Sequence, residues 1–155
     1  QLPAEASWSG ATQKITAGKE ILMLLPITTA SAAAAALVTF WHAVRIIQLR
    51  AKSAIVHGDG GDALMVRRMR AHSNFTEYTP MTLILCGLVE LAQGGAIWLE
   101  ILMAAFILGR VAHVIGMDSE KSNPLRSIGM TTTFITLLVL TVAALLTLYN
   151  SAHLA

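Results

Sequence analysis

Residues 67 to 78 read Arg67-Arg68-Met69-Arg70-Ala71-His72-Ser73-Asn74-Phe75-Thr76-Glu77-Tyr78, a dense run of hydrogen-bonding and charged groups. At about 100° per residue, Arg67, Arg70, Asn74 and Glu77 fall within about 80° of one another, on one helical stripe. Apolar residues follow at once, so the stripe lies where a helix enters a bilayer. A charge at that depth costs roughly 2.5–3.5 kcal/mol unless it is paired or faces water. Such a stripe suits a polar ligand. It suits a hydrogen-bonded network between helices equally well, and spacing alone does not separate the two.

Two further groups of residues resemble the first. Arg110 and His113 are three apart and share a helical face. Asn123-Pro124 has the form of a helix start, with Asn as N-cap and Pro at the first helical position. Arg126 and Ser127 then fall in the first turn. A cation there opposes the helix dipole, which favours anions. Arg126 beside free backbone N–H groups therefore calls for a negative partner. That partner is a lipid phosphate, a carboxylate from another helix or an anionic ligand.

The elements that position these residues are membrane helices. Apolar residues make up 55% of the 155-residue chain and charged residues only 13%, against roughly 25% charged in a typical soluble domain. A chain of this length is one domain, and a water-soluble one could not hide so much apolar surface. About 20 mostly apolar residues are needed for a span. Four segments qualify, at about residues 21–47, 63–92, 96–117 and 124–149, giving an all-α four-transmembrane-helix bundle over residues 21–155. The short Gln93-Gly94-Gly95 link makes spans two and three an antiparallel hairpin. Residues 1–20 read as a polar arm at the outer face.

Arg45, Arg50, Lys52, Arg67, Arg68 and Arg70 lie in or flank the connection between spans one and two, and Arg110, Lys121 and Arg126 lie in or flank the one between spans three and four. Of the Lys and Arg residues, Lys14 and Lys19 alone fall on the other side. By the positive-inside rule both basic loops face the cytoplasm and both termini face out. Arg45, Lys52, Arg68 and Lys121 need no role beyond setting topology and meeting anionic headgroups. The net charge of +2 makes no case for nucleic acid. No two histidines pair near a carboxylate at ligand spacing, so no metal site is expected. His42 and Cys86 read as packed residues within spans, His57 and His153 as exposed ones. Gly58-Asp59-Gly60-Gly61 reads as a turn.

Taken in order, Arg70-Ala71-His72-x-Asn74-x-x-Glu77-Tyr78-x-Pro80, Gly109-Arg110-Val111-Ala112-His113 and Pro124-Leu125-Arg126-Ser127 resemble the MAPEG family, the membrane-associated proteins in eicosanoid and glutathione metabolism. The first motif carries most of the weight, because it fixes five polar identities at set spacing. The segment from Gln48 to Gly61 is most similar to uncharacterised bacterial inner-membrane members.

The resemblance implies a homotrimer with glutathione as co-substrate at each subunit interface, bound from the cytoplasmic side of a bacterial inner membrane. Arg70, Asn74, Glu77 and Tyr78 would hold its peptide part, and Arg50 would reach a carboxylate. His113 would contact glutathione, and Arg126 would face its sulfur as the catalytic residue. Arg110 and Ser127 join the binding set, with Arg67 and His72 as further candidates. Where some relatives carry tyrosines, this chain has Met117 and Met130, which cannot donate a hydrogen bond.

Elementary chemistry agrees with that assignment. Arginine forks suit the two carboxylates of glutathione, and Glu77 suits its ammonium. Its thiol has a pKa of about 8.5, and Arg126 with a helix N-terminus would favour the thiolate. The expected function is a glutathione-dependent transferase or peroxidase acting on lipophilic electrophiles or hydroperoxides. The alternatives are a non-catalytic member that binds lipid or protein, and a structural subunit of a larger membrane complex.

Overall fold

A computed structural model describes residues 25–154. Within them the chain forms four α-helices: α1 (Pro26–Ser53), α2 (Ala63–Gln93), α3 (Ile97–Gly116) and α4 (Pro124–Leu154). The proposed arm at residues 1–20, with Lys14 and Lys19, lies outside the described residues. The helix starts have local causes. Asp62 caps α2, its Oδ1 accepting from the N–H groups of Leu64 at 2.8 Å and Met65 at 3.1 Å. Asn123 caps α4 by accepting from Leu125 N at 2.9 Å, and Pro124 follows at the first helical position. The Gly58–Gly61 segment is a turn with positive φ at Gly58, Gly60 and Gly61. Its Asp59 accepts from Gly61 N at 3.1 Å, a side-chain imitation of a backbone turn.

The helices contact one another in the cyclic order α1, α2, α4, α3, and α3 packs most extensively on α4. Two apolar clusters fill the interior. Cys86, Val89, Leu99, Met103, Phe106 and Leu140 form one; Ala35, Val38, Phe75 and Val114 form the other. The outer surface is apolar as well: Leu37, Phe40, Leu108, Leu138 and Leu148 are all exposed. Helices α1, α3 and α4 are long and apolar enough to cross a membrane. Helix α2 is not among them, because Glu77 and Glu90 bracket its apolar stretch and arginines crowd its first turns.

Helix α1 is held at both ends by acids from other elements. Its first residue is Pro26, and Leu25 before it offers no side-chain cap. Glu90 of α2 serves instead, Oε1 accepting from Ile27 N and Oε2 from Thr28 N, each at 2.8 Å. These are first-turn N–H groups that the helix cannot satisfy itself. Glu90, only 2% exposed, is thereby paired despite its burial. Near the other end, Asp118 of the α3–α4 connection is ion-paired to Arg45 of α1 and, at 3.2 Å, to Arg68 of α2. Arg68 also donates to the Arg45 carbonyl at 3.0 Å. Arg45 and Arg68 thus fasten three elements together, a more specific role than topology alone.

Candidate functional site

Beside that clamp lies a cleft of about 330 Å³ lined by Arg70, Ser73, Asn74, Glu77, His113, Met117, Arg126 and Met130. Helix α2 supplies the first four because Arg70, Ser73, Asn74 and Glu77 recur at three- and four-residue intervals on one face. The Asp62 cap and the Arg68–Asp118 pair fix where that face points. Ser73 Oγ donates to Glu77 Oε1 at 2.9 Å, which orients the carboxylate.

Helices α3 and α4 supply the opposite wall, and they approach closely enough to exclude side chains. A Cβ on Gly129 would stand 2.5 Å from both the Gly109 carbonyl oxygen and His113 Cβ, and one on Gly116 would stand 3.0 Å from Arg126 Cα. This contact brings His113 Nδ1 to 3.1 Å from the Arg126 carbonyl oxygen. His113 is 3% exposed, and Arg126 lies at the open edge of the cleft.

Behind the wall sits Arg110, fully buried. Its Nη2 donates to Asn74 Oδ1 at 2.9 Å and its Nη1 to Thr133 Oγ1 at 3.1 Å. Its guanidinium carbon lies 5.3 Å from the centre of the Phe75 ring, a favourable cation–π distance. Nε has no partner.

Of the residues expected from sequence, the structure brings Arg70, Asn74, Glu77, His113 and Arg126 together, with Arg110 one layer behind. Met117 and Met130 line the same cleft. Within one chain the others lie apart from it. Tyr78 packs edge-on against Phe134, with ring centres 5.6 Å apart. Arg50 donates to the Val56 carbonyl at 3.4 Å. Arg67 comes within 3.7 Å of Glu120. His72 stacks on His42 with ring centres 5.4 Å apart. Ser127 is exposed and does not line the cleft.

Sequence reasoning passed over two contributors. Ser73 lines the cleft, and its i, i+4 spacing to Glu77 was the available signal. Asp118 braces the segment that carries Met117. Burial alone would raise the Asp118 pKa, but hydrogen bonds from Arg68 and Arg45 and their charges outweigh it and hold the carboxyl below its ordinary value.

The arrangement is a compact site of mixed charge at one end of a helical bundle. Residues 28–146 match the model of the MAPEG family, and the chain belongs to that family. It is 30% identical over 101 residues, 64% of this chain and 76% of the relative, to the inner membrane protein YecN of Escherichia coli strain K12. The protein of that name from Escherichia coli O6:H1 strain CFT073 matches with the same figures.

Proposed function

We propose that the cleft binds glutathione, holds it as the thiolate, and directs the sulfur at lipophilic electrophiles or hydroperoxides dissolved in the bilayer. The observation that carries this reading is the convergence of Arg70, Asn74, Glu77, His113 and Arg126 on one small cavity. Its volume is at the small end of the roughly 300–1,000 Å³ usual for ligand sites. The donor set fits the molecule. Arg70 and Asn74 offer donors to carboxylates, and Glu77 accepts from an ammonium. Arg126, a permanent cation near the α4 N-terminus, suits the sulfur as it becomes negative.

Topology and assembly are read with it. All four helices span, α2 crossing by burying Glu90 on the α1 amides and turning its charged stripe into the cleft. The basic connections face the cytoplasm, and both termini lie on the outer side of a bacterial inner membrane. The bundle, taken as one domain over residues 21–155, assembles as a trimer. Neighbouring subunits then complete the cleft, which gives Arg50, Tyr78 and Ser127 a way to reach the ligand.

Three measurements test the reading. Glutathione at millimolar concentration should raise thermal stability in detergent, and a generic electrophile should then be conjugated. Ultraviolet titration should show a bound thiolate that is lost in Arg126→Ala; equal thiolate fractions in both proteins refute Arg126 as the stabiliser. Met117 and Met130 favour one rival, since neither can donate a hydrogen bond to sulfur. Stabilisation without turnover would select that rival, a non-catalytic binding protein.

A further inference from the structure

We propose that His113 is the base that takes the proton from the thiol in this cleft. The inference rests on the glutathione reading above and starts from one contact. His113 Nδ1 stands 3.1 Å from the carbonyl oxygen of Arg126. A carbonyl has no proton to give, so Nδ1 must be the N–H donor. In the neutral ring the remaining nitrogen, Nε2, then carries the lone pair. The backbone of α4 therefore fixes the tautomer. The close approach of Gly129 to His113 Cβ fixes the ring's root. With Nδ1 committed to Arg126, Nε2 is the nitrogen left for the cleft that His113 lines.

The other cleft residues are poor alternatives. Arg70 and Arg126 carry only N–H donors and no acceptor, so neither takes up the proton. Met117 and Met130 are not basic. Glu77 already accepts from Ser73 and is matched to the ligand's ammonium. The groups surrounding the His113 ring are Arg110 on its own helix, Arg126 on α4, Arg70 and Glu77 on α2, and His42 on α1.

The step is balanced. The S–H bond breaks, and its electron pair stays on sulfur. The proton bonds to Nε2, and the imidazolium keeps its Nδ1–H on the Arg126 carbonyl. Arg126 faces the sulfur with its guanidinium and the imidazolium with its carbonyl oxygen, so one residue serves both halves of the ion pair. When the sulfur attacks an electrophile, the proton on Nε2 is available to the leaving or newly anionic atom.

The test compares kcat/KM for conjugation across pH in the wild type and in His113→Phe. At about pH 7 the variant should lose roughly 100-fold, within the range for general-base removal. KM for glutathione should change little. The deficit should close as the pH passes roughly 8.5, where the thiol ionises unaided. A deficit that is equal at every pH, or that lies wholly in KM, overturns the base role and leaves His113 as a binding residue. His113→Asn provides a second variant should the phenylalanine prevent folding. Its amide can still donate to the Arg126 carbonyl, but it has no basic nitrogen, and it should give the same pH-dependent loss. A wild type neither stabilised by glutathione nor active overturns the functional reading itself. A wild type that is stabilised and active while the deficit is flat overturns only the base.

Discussion

Nη2 of Arg110 stands 2.9 Å from Oδ1 of Asn74, and Arg110 is wholly buried while Asn74 lines the cleft. A guanidinium only donates, so the amide oxygen must face inward and the NH₂ group must face the cleft. The buried arginine thus determines what its partner offers a ligand, at one remove. Arg110→Met should separate the two effects. Methionine removes the cost of burying a charge that has no ionic partner among the described residues, so the melting temperature should hold or rise. Glutathione should bind about tenfold more weakly, a difference of roughly 1.4 kcal/mol, because Asn74 is released to turn. Thermal unfolding and equilibrium binding on the same preparation check both; a large loss of stability with unchanged affinity would make Arg110 purely structural.

The Asp118 clamp should appear in the acid limb of stability. Its carboxyl is held below the ordinary value by Arg68 and Arg45 against the opposing effect of burial. The unfolded state therefore takes up the proton first, and the stabilisation is present above about pH 4, the unfolded value. It is lost as pH falls through the lower, folded value. Asp118 is one-third exposed, so solvent screening limits the gain to about 1 kcal/mol. Asp118→Asn should lower the melting temperature near neutrality and flatten its decline in acid. An unchanged acid limb would deny the clamp a part in it.

What the sequence made legible follows from how far each cause reaches along the chain. The start of α4 could be placed because Asn123-Pro124 acts within one turn, and that of α2 because its helical pattern reaches back to about residue 63, where the Asp62 cap stands. The cleft wall on α2 was visible because Arg70, Asn74 and Glu77 sit at helical spacing. Arg67 has the same angular position, but it is a turn further from the cleft and meets Glu120 instead. Nothing local marked Glu90 as a helix cap, and Arg45 and Arg68 looked like topology signals. Their roles depend on partners 23 to 73 residues away, and no local pattern encodes a contact of that kind. Pro26 shows the same limit from another side: the apolar pattern starts near residue 21, whereas the described helix starts at the proline.

Glu90 should be needed for its shape as well as its charge. Both its oxygens are engaged, one on Ile27 N and one on Thr28 N. Glu90→Gln keeps one acceptor and should cost less than Glu90→Ala, which leaves two first-turn N–H groups without a protein partner. Each group left unsatisfied costs about 1–3 kcal/mol. Hydrogen exchange at the first turn of α1 should accelerate in the alanine variant while the second half of the helix stays protected. Equal protection of that turn in both variants would mean that another group serves as the cap.

Gly129 and Gly87 make a matched pair, since both are helical glycines and their surroundings differ. A Cβ on Gly87 would meet Thr28 Cγ2 at 3.6 Å, ordinary contact, whereas one on Gly129 would meet the Gly109 oxygen and His113 Cβ at 2.5 Å. Alanine has the higher helix propensity by about 0.8–1.0 kcal/mol, so Gly87→Ala should stabilise the protein slightly. Gly129→Ala has no such release, because one obstacle is backbone and the other is the root of the imidazole. Overpacking of this kind costs roughly 1–3 kcal/mol. The displaced group is His113, so the variant should also lose thiolate formation beyond what its stability loss explains. Melting temperatures of the two variants, with thiolate titration well below the melting point of each, provide the comparison. Equal melting temperatures would mean that α3 and α4 can separate at no cost, and the cleft wall would then be far softer than its packing implies.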